Sequence, residues 1–220
     1  MNTLWAFGDS MTFGYGCRVD GPGIEYYNKY YENGDDVWVN IVAKEFNYLP
    51  NNLGICGASN DTIIDTIIDN FDKIKKGDCV IIGKTFFERF DVPNKKDNKL
   101  EALLGEIKNY DDSIWYDTLI KNQIKNEEEV QTLINFIYYY GRNTLYEKRQ
   151  NKRYDFIEKV LKEKNILTFQ WKVDMSHGFE KIIHATNKEI KDYHLSFKGH
   201  KDFALYLIKR IENNGNRFII

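Results

Sequence analysis

NLGICGASNDTIIDTIIDNFDKIKKGDCVII, Asn52 to Ile82, is the stretch whose reading decides the fold class. Asn52 to Ile55 reads as a short strand. Ser59, Asn60 and Asp61 supply an N-cap cluster ahead of Ile63, Ile64, Ile67, Ile68, Phe71 and Ile74, a spacing that paints one apolar stripe along a helix. Gly77-Asp78 ends that helix, and Cys79 to Ile82 is an unbroken apolar run of the kind found in a central parallel strand. Strand, helix, strand with short links is the βαβ unit of an α/β protein.

The same pattern extends outward. Thr3 to Phe7 reads as a buried strand ending at Gly8, and Val37 to Phe46 as a helix. From about Lys99 to Lys164 the reading is helical throughout, with Val130, Leu133, Ile134, Ile137 and Tyr138 on one face, a break near Gly141-Arg142-Asn143, and Tyr154, Ile157 and Leu161 beyond it. Ile166 to Trp171 restores a strand. Lys172 to Tyr193 reads as loop or short irregular pieces, and Phe197, Phe203, Ala204, Leu207, Ile208 and Ile211 form a closing amphipathic helix. The expectation is a single domain over residues 1–220 with a helical insertion at about 99–164.

Composition narrows the function classes. Lys+Arg 31 against Asp+Glu 33 gives a formal net charge of -2, with no basic excess to neutralise phosphates, so no nucleic-acid partner is expected. No stretch approaches the roughly 18 uninterrupted apolar residues of a membrane span. Cys17, Cys56 and Cys79 make an odd count with no CxxC pairing, against a disulfide framework or a zinc knuckle. MNTLWAFGDS has no basic head or apolar run of a signal peptide, so synthesis in the cytoplasm is expected, with later release left open.

Two segments carry chemistry. GDSMTFGYG, Gly8 to Gly16, follows a strand directly, which would expose the Ser10 hydroxyl in the crevice where open parallel sheets bind ligands; the bland alternative is a capped strand-to-loop turn. KDYHLSFKGHKDFA, Lys191 to Ala204, places His194 just before a helix with Asp192 two residues upstream, the parts of a general base and its orienter.

Together these segments resemble the SGNH hydrolases, or GDSL esterase/lipase family. GDSMTFGYG stands as the first block, NLGICGASND (Asn52 to Asp61) resembles the second, and DYHLSFKGH the last. The resemblance implies a three-layer α/β/α fold with a parallel sheet of about five strands. It also implies ester hydrolysis with Ser10 as nucleophile, His194 as base and Asp192 as the acid. The oxyanion hole it implies comprises the amides of Ser10 and Gly57 with a side-chain donor at Thr85, where the family usually has Asn; Asn60 is the next candidate. The usual acid position, three before the histidine, is Lys191 here, and Glu189 and Asp174 are the other carboxylates within reach in sequence. No cofactor is implied. The preferred substrate is a small-molecule or carbohydrate ester with a short acyl group, O-acetyl above all, since no long apolar lid is visible.

Rival readings fare less well. Gly83-Lys84-Thr85 lacks the spacing of a phosphate-binding P-loop and abuts the apolar run Cys79 to Ile82. Asp174, His177, His184 and His194 have no pair spacing suited to metal, so no metal is expected. Cys56 is expected to be a small buried residue. Tyr26-Tyr27, Tyr30-Tyr31 and Tyr138 to Tyr140 could stack on sugar rings, though core or rim packing is the commoner use. A non-catalytic binding or structural module on the same fold is the alternative from a different class.

Overall fold

The computed structural model describes residues 1–14, 37–87, 89–93, 100–104, 128, 132, 135, 144–172, 181–184, 190–195 and 197–214. Among them, β1 (Thr3–Gly8), β2 (Leu49–Gly54), β3 (Cys79–Lys84) and β6 (Leu167–Lys172) form a parallel sheet in the order β2-β1-β3-β6. The fold class is therefore the expected α/β, with four described strands in the sheet.

Period-two alternation in β1 and β3 divides the core into two layers. Leu4, Ala6 and Ile81 point to one face, where α2 (Trp38–Glu45) and α5 (Phe197–Asn214) bring Trp38, Val42, Phe203, Ala204 and Leu207. Trp5, Phe7, Val80 and Ile82 point to the other, where α3 (Asn60–Asn70) supplies Ile63, Ile64 and Ile67, and α4 (Thr144–Glu163) supplies Tyr154, Ile157 and Leu161. With both faces covered, β1 and β3 need continuous apolar sequence, and their central residues are buried. On the first face Trp38, Trp171 and Phe203 meet edge to face, with ring centroids 4.9 to 6.1 Å apart.

At the N-terminal end of the sheet, Asp78 ties β1 to β3. Its carboxylate accepts from the Thr3 amide at 2.8 Å, from Trp5 Nε1 at 2.9 Å and from the Lys75 amide at 2.9 Å. A second clasp joins α3 to α4: Asp61 accepts from Tyr146 Oη, Gln150 Nε2 and Arg153 Nη1. Burial alone would raise the Asp61 carboxyl, but the hydrogen bonds from Gln150, Tyr146 and Arg153 and the Arg153 charge outweigh it and hold it below its ordinary value.

Two segments depart from the expected elements. Leu100–Leu104, expected to open a helical stretch, is strand β5, paired antiparallel with β4 (Arg89–Pro93). Leu, Glu and Ala are good helix formers, and pairing with β4 overrides that local preference. Thr144–Glu163 is helical as expected, with Gln150, Tyr154, Ile157 and Leu161 buried. The stripe from Val130 to Tyr138 and the break near Gly141 lie outside the described residues, apart from 128, 132 and 135. Lys172 to Tyr193, expected to be irregular, contains β7 (Lys181–His184) and most of β8 (Ile190–Leu195), which pair antiparallel. Such short strands give too few alternations to be told from a loop by pattern. No helix among the described residues is long and apolar enough to cross a membrane.

Candidate active site

In the order β2-β1-β3, the strands that follow β1 in sequence lie on its two opposite sides, so a crevice opens at the C-terminal ends of β1 and β3. The sequence places Ser10 there. β1 ends at Gly8, Asp9 caps the next helix, and Ser10 is the first residue of the short α1 (Ser10–Phe13). Asp9 is extended, and its side chain accepts from the Met11 amide at 3.0 Å while its carbonyl accepts from the amides of Thr12 and Phe13. Two neighbours hold this turn in place. Asn52 Nδ2 donates to the Thr12 carbonyl at 2.8 Å, and the Trp38 indole donates to the Met11 carbonyl at 3.0 Å. The end of β2 passes so close to α1 that a Cβ on Gly54 would stand 2.2 Å from the Phe13 nitrogen, so only glycine fits there.

His194 reaches this turn from β8. Its Nε2 lies 2.7 Å from Ser10 Oγ; Ser10 is 7% exposed and the imidazole is half-buried. The following Leu195 is buried in the core, and α5 continues with buried Phe203, Ala204 and Leu207, so the strand that carries the imidazole is anchored just past the site. A hydroxyl and an imidazole nitrogen at hydrogen-bond distance are what general-base activation of an alcohol requires. Asp192 has its backbone in the same strand, and its side chain lies outside the described residues. Glu189, Asp174, His177, Ser196 and the tyrosines at 26, 27, 30, 31 and 138–140 also lie outside them.

The second turn, Ile55 to Ala58, is tied to the first by the Ile55 amide, which donates to the Gly8 carbonyl at 2.9 Å. Gly57 takes a positive φ of 79°, and a Cβ there would find nothing within 4 Å, so its face of the turn is open. Cys56 beside it is exposed, contrary to the expected burial. Local desolvation first, and the Asp9 carboxylate second, push its thiol up to about 11, which makes it a poor nucleophile.

The Thr85 hydroxyl, expected as the side-chain donor, is turned into the fold. The residue is fully buried just past the end of β3, and its hydroxyl donates to Asp9 Oδ2 at 2.8 Å, committing its one proton inside the fold. Asn60 is engaged in the same way. Its amide donates to the Thr85 and Phe86 carbonyls at 3.1 and 3.3 Å, and its oxygen accepts from the Thr85 amide at 3.1 Å and the Tyr154 hydroxyl at 2.8 Å. Gly83 and Lys84 belong to β3. Lys84 Nζ meets Asn151 Oδ1 at 3.3 Å and lies over the Tyr154 ring, so it is packed between sheet and α4 rather than presented by a phosphate-binding loop.

Two residues stand beside the site that the motif reading passed over. Asp9 could have been found as an N-cap, since an aspartate between a strand and a helix start has that signature. Arg89 has no such signal: its Nη1 donates to the Ala58 carbonyl at 3.1 Å and stands 3.6 Å from Asp9 Oδ2. An apolar cleft of about 780 Å³ lies elsewhere, between α3 and α4, lined by Ile68, Phe71, Leu145 and Phe156 together with Lys148 and Arg149.

No protein-family model matches the chain, and no curated protein matches it. Three solved structures are similar in part. A lipolytic protein of the G-D-S-L family from Desulfitobacterium hafniense has 16% identity and a TM-score of 0.36, over 95% of this chain and 99% of that one. A member of the lipolytic G-D-S-L family from Veillonella parvula has 15% identity and a TM-score of 0.38, over 97% of this chain and 100% of that one. A carbohydrate esterase, whose active site is described as displaying divergent catalytic and non-catalytic binding functions, has 13% identity and a TM-score of 0.41, over 97% of this chain and 65% of that one.

Proposed function

We propose that the protein is a serine hydrolase that cleaves short-chain esters. The observation that carries the reading is the 2.7 Å approach of His194 Nε2 to Ser10 Oγ at the C-terminal end of a central parallel strand. In this reading Ser10 Oγ attacks the ester carbonyl carbon while its proton passes to His194 Nε2. The amides of Ser10 and Gly57 receive the oxyanion that forms. Collapse of the tetrahedral intermediate breaks the bond to the alcohol oxygen, which takes the proton from His194 and leaves. Water, deprotonated by the same imidazole, then attacks the acyl-serine and releases the acid and the free hydroxyl. Asp192 is proposed as the group that orients the imidazole. An acetyl ester of a carbohydrate is the favoured substrate class. The chemistry assigned to these residues needs serine, base and hydrogen-bond donors from the chain itself.

One observation favours the alternative of a binding module: with Thr85 and Asn60 engaged inside the fold, neither serves as a neutral side-chain donor to the hole. A fluorophosphonate probe and a turnover assay with a short acyl ester separate the two readings. The hydrolase reading expects labelling of Ser10 and turnover that Ser10→Ala abolishes, a loss on the order of 10⁴-fold or more, with the fold retained. Labelling that persists in Ser10→Ala removes the nucleophile assignment, and no turnover with a panel of acyl esters favours the binding module.

A further inference from the structure

The turn carrying Ser10 and the turn carrying Gly57 share one side chain. Arg89, on β4, donates from Nη1 to the carbonyl of Ala58, the residue after Gly57, at 3.1 Å. The same nitrogen faces Oδ2 of Asp9, the residue before Ser10, at 3.6 Å. Only 12% of the guanidinium side chain and 4% of the carboxylate side chain are exposed, so the pair interacts largely out of water. Asn52 and the Ile55 amide already tie the bases of the two turns together; Arg89 acts next to the two amides themselves.

Two physical needs meet at this position. An oxyanion hole works through donors fixed at a set separation before charge develops, and here the two backbone donors sit on separate turns. In addition, a buried carboxylate one residue from the nucleophile opposes the negative charge that forms on the substrate. A guanidinium facing that carboxylate offsets the opposition, and its planar Nη1, with two N–H bonds at a fixed angle, stands between the two partners. The departure at position 85 makes the first need sharper, because the threonine proton is directed to Asp9 rather than to the crevice and the two backbone donors carry more of the hole.

We propose that Arg89 is the positioning residue of the oxyanion hole: by bridging the Ala58 carbonyl and the Asp9 carboxylate it sets the spacing of the Gly57 and Ser10 amides and neutralises the charge beside the nucleophile. The proposal rests on the esterase reading. Arg89 belongs to the machinery by acting through the two turns, so its loss registers in the chemical step and not in ground-state binding.

The test uses the full chain, with turnover of a short acyl ester normalised to the Ser10 sites that a fluorophosphonate titrates. Arg89→Lys keeps the charge but shortens the side chain and loses the planar Nη1 that stands between both partners, and is expected to lower kcat roughly tenfold with KM little changed, slowing phosphonate labelling by a similar factor. Arg89→Ala is expected to lose more, and added guanidinium ion at millimolar concentration is expected to restore part of its kcat. Wild-type kcat per titrated site in Arg89→Lys overturns the proposal, as does a change confined to KM, which would make Arg89 a substrate-binding group. If Arg89→Ala fails to fold, Arg89→Lys alone decides. Wild-type protein that neither turns over esters nor reacts with the probe overturns the esterase reading and the proposal with it, whereas an active wild type with an indifferent Arg89→Lys overturns the proposal alone.

Discussion

Asp78 and Asp9 are buried aspartates at opposite ends of the same two strands, and each links β1 to β3. Asp78, at the N-terminal end, accepts from two backbone amides and one indole. Asp9, at the C-terminal end, accepts from the Met11 amide and the Thr85 hydroxyl and faces the Arg89 guanidinium. One end is thus closed by neutral donors belonging to the framework. The other is balanced by a cation from outside the sheet and stands next to a paired serine and histidine. The same residue type is used once to close the sheet and once to hold a reactive turn, and the partners reveal which.

That contrast can be broken at several points. The largest effect is expected from Asp9→Ala, which strands the Arg89 charge and the Thr85 hydroxyl together. Stability should fall by about 3 kcal/mol or more, and kcat per titrated Ser10 by at least about tenfold. Chemical denaturation and active-site titration measure the two separately. Asp78→Ala should cost about 2 kcal/mol or more, since three donors lose their acceptor, yet leave kcat per titrated site near that of wild type. A large fall in kcat there would erase the difference between the two ends.

Thr85→Val sharpens the comparison. It keeps the volume, deletes the hydroxyl and removes one donor to Asp9, so about 1 kcal/mol of stability is expected to go. On the proposed mechanism the effect on kcat should be severalfold at most, because the lost bond supports Asp9 and leaves the two backbone donors in place. A fall of a hundredfold or more, on the order of losing a true oxyanion donor, would place the hydroxyl in the hole after all.

The smallest effect concerns the α3–α4 clasp. The Asp61 carboxyl is held below its ordinary value, so the stability it contributes is present above its unfolded pKa and is lost as pH falls through the folded pKa. Asp61→Asn should therefore flatten the acid limb of the stability curve. About a third of the Asp61 and Arg153 side chains is exposed, so the change is expected to be on the order of 1 kcal/mol or less after solvent screening. An unchanged acid limb in urea melts at several pH values would dismiss the clasp as a contributor.

The layers of the fold were legible because two patterns separate strand from helix: the unbroken apolar runs Leu4 to Phe7 and Cys79 to Ile82, and the helical stripe Ile63, Ile64, Ile67. Ser10 and His194 were legible because each sits at a recognisable join between a strand and a helix. The hairpin-like pairs β4-β5 and β7-β8 were not, since strands of four to six residues give too few alternations to leave a local mark. Nor could residue type reveal the direction of the Thr85 proton, which depends on where Asp9 lies across 76 positions of chain. Arg89 stayed hidden for the same reason. Its meaning comes from two carbonyl and carboxylate partners distant in sequence.

The indole of Trp38 donates to the Met11 carbonyl, one residue past Ser10, while its ring is fully buried against Trp171 and Phe203. That placement makes it a built-in optical gauge. Any rearrangement of α1 that lengthens this bond changes the polarity felt by the indole and with it the colour and yield of its emission. The acylation proposed for Ser10, or its phosphonylation, would then be followed without an added dye, by stopped-flow fluorescence, with Trp38→Phe as the control that loses the signal change.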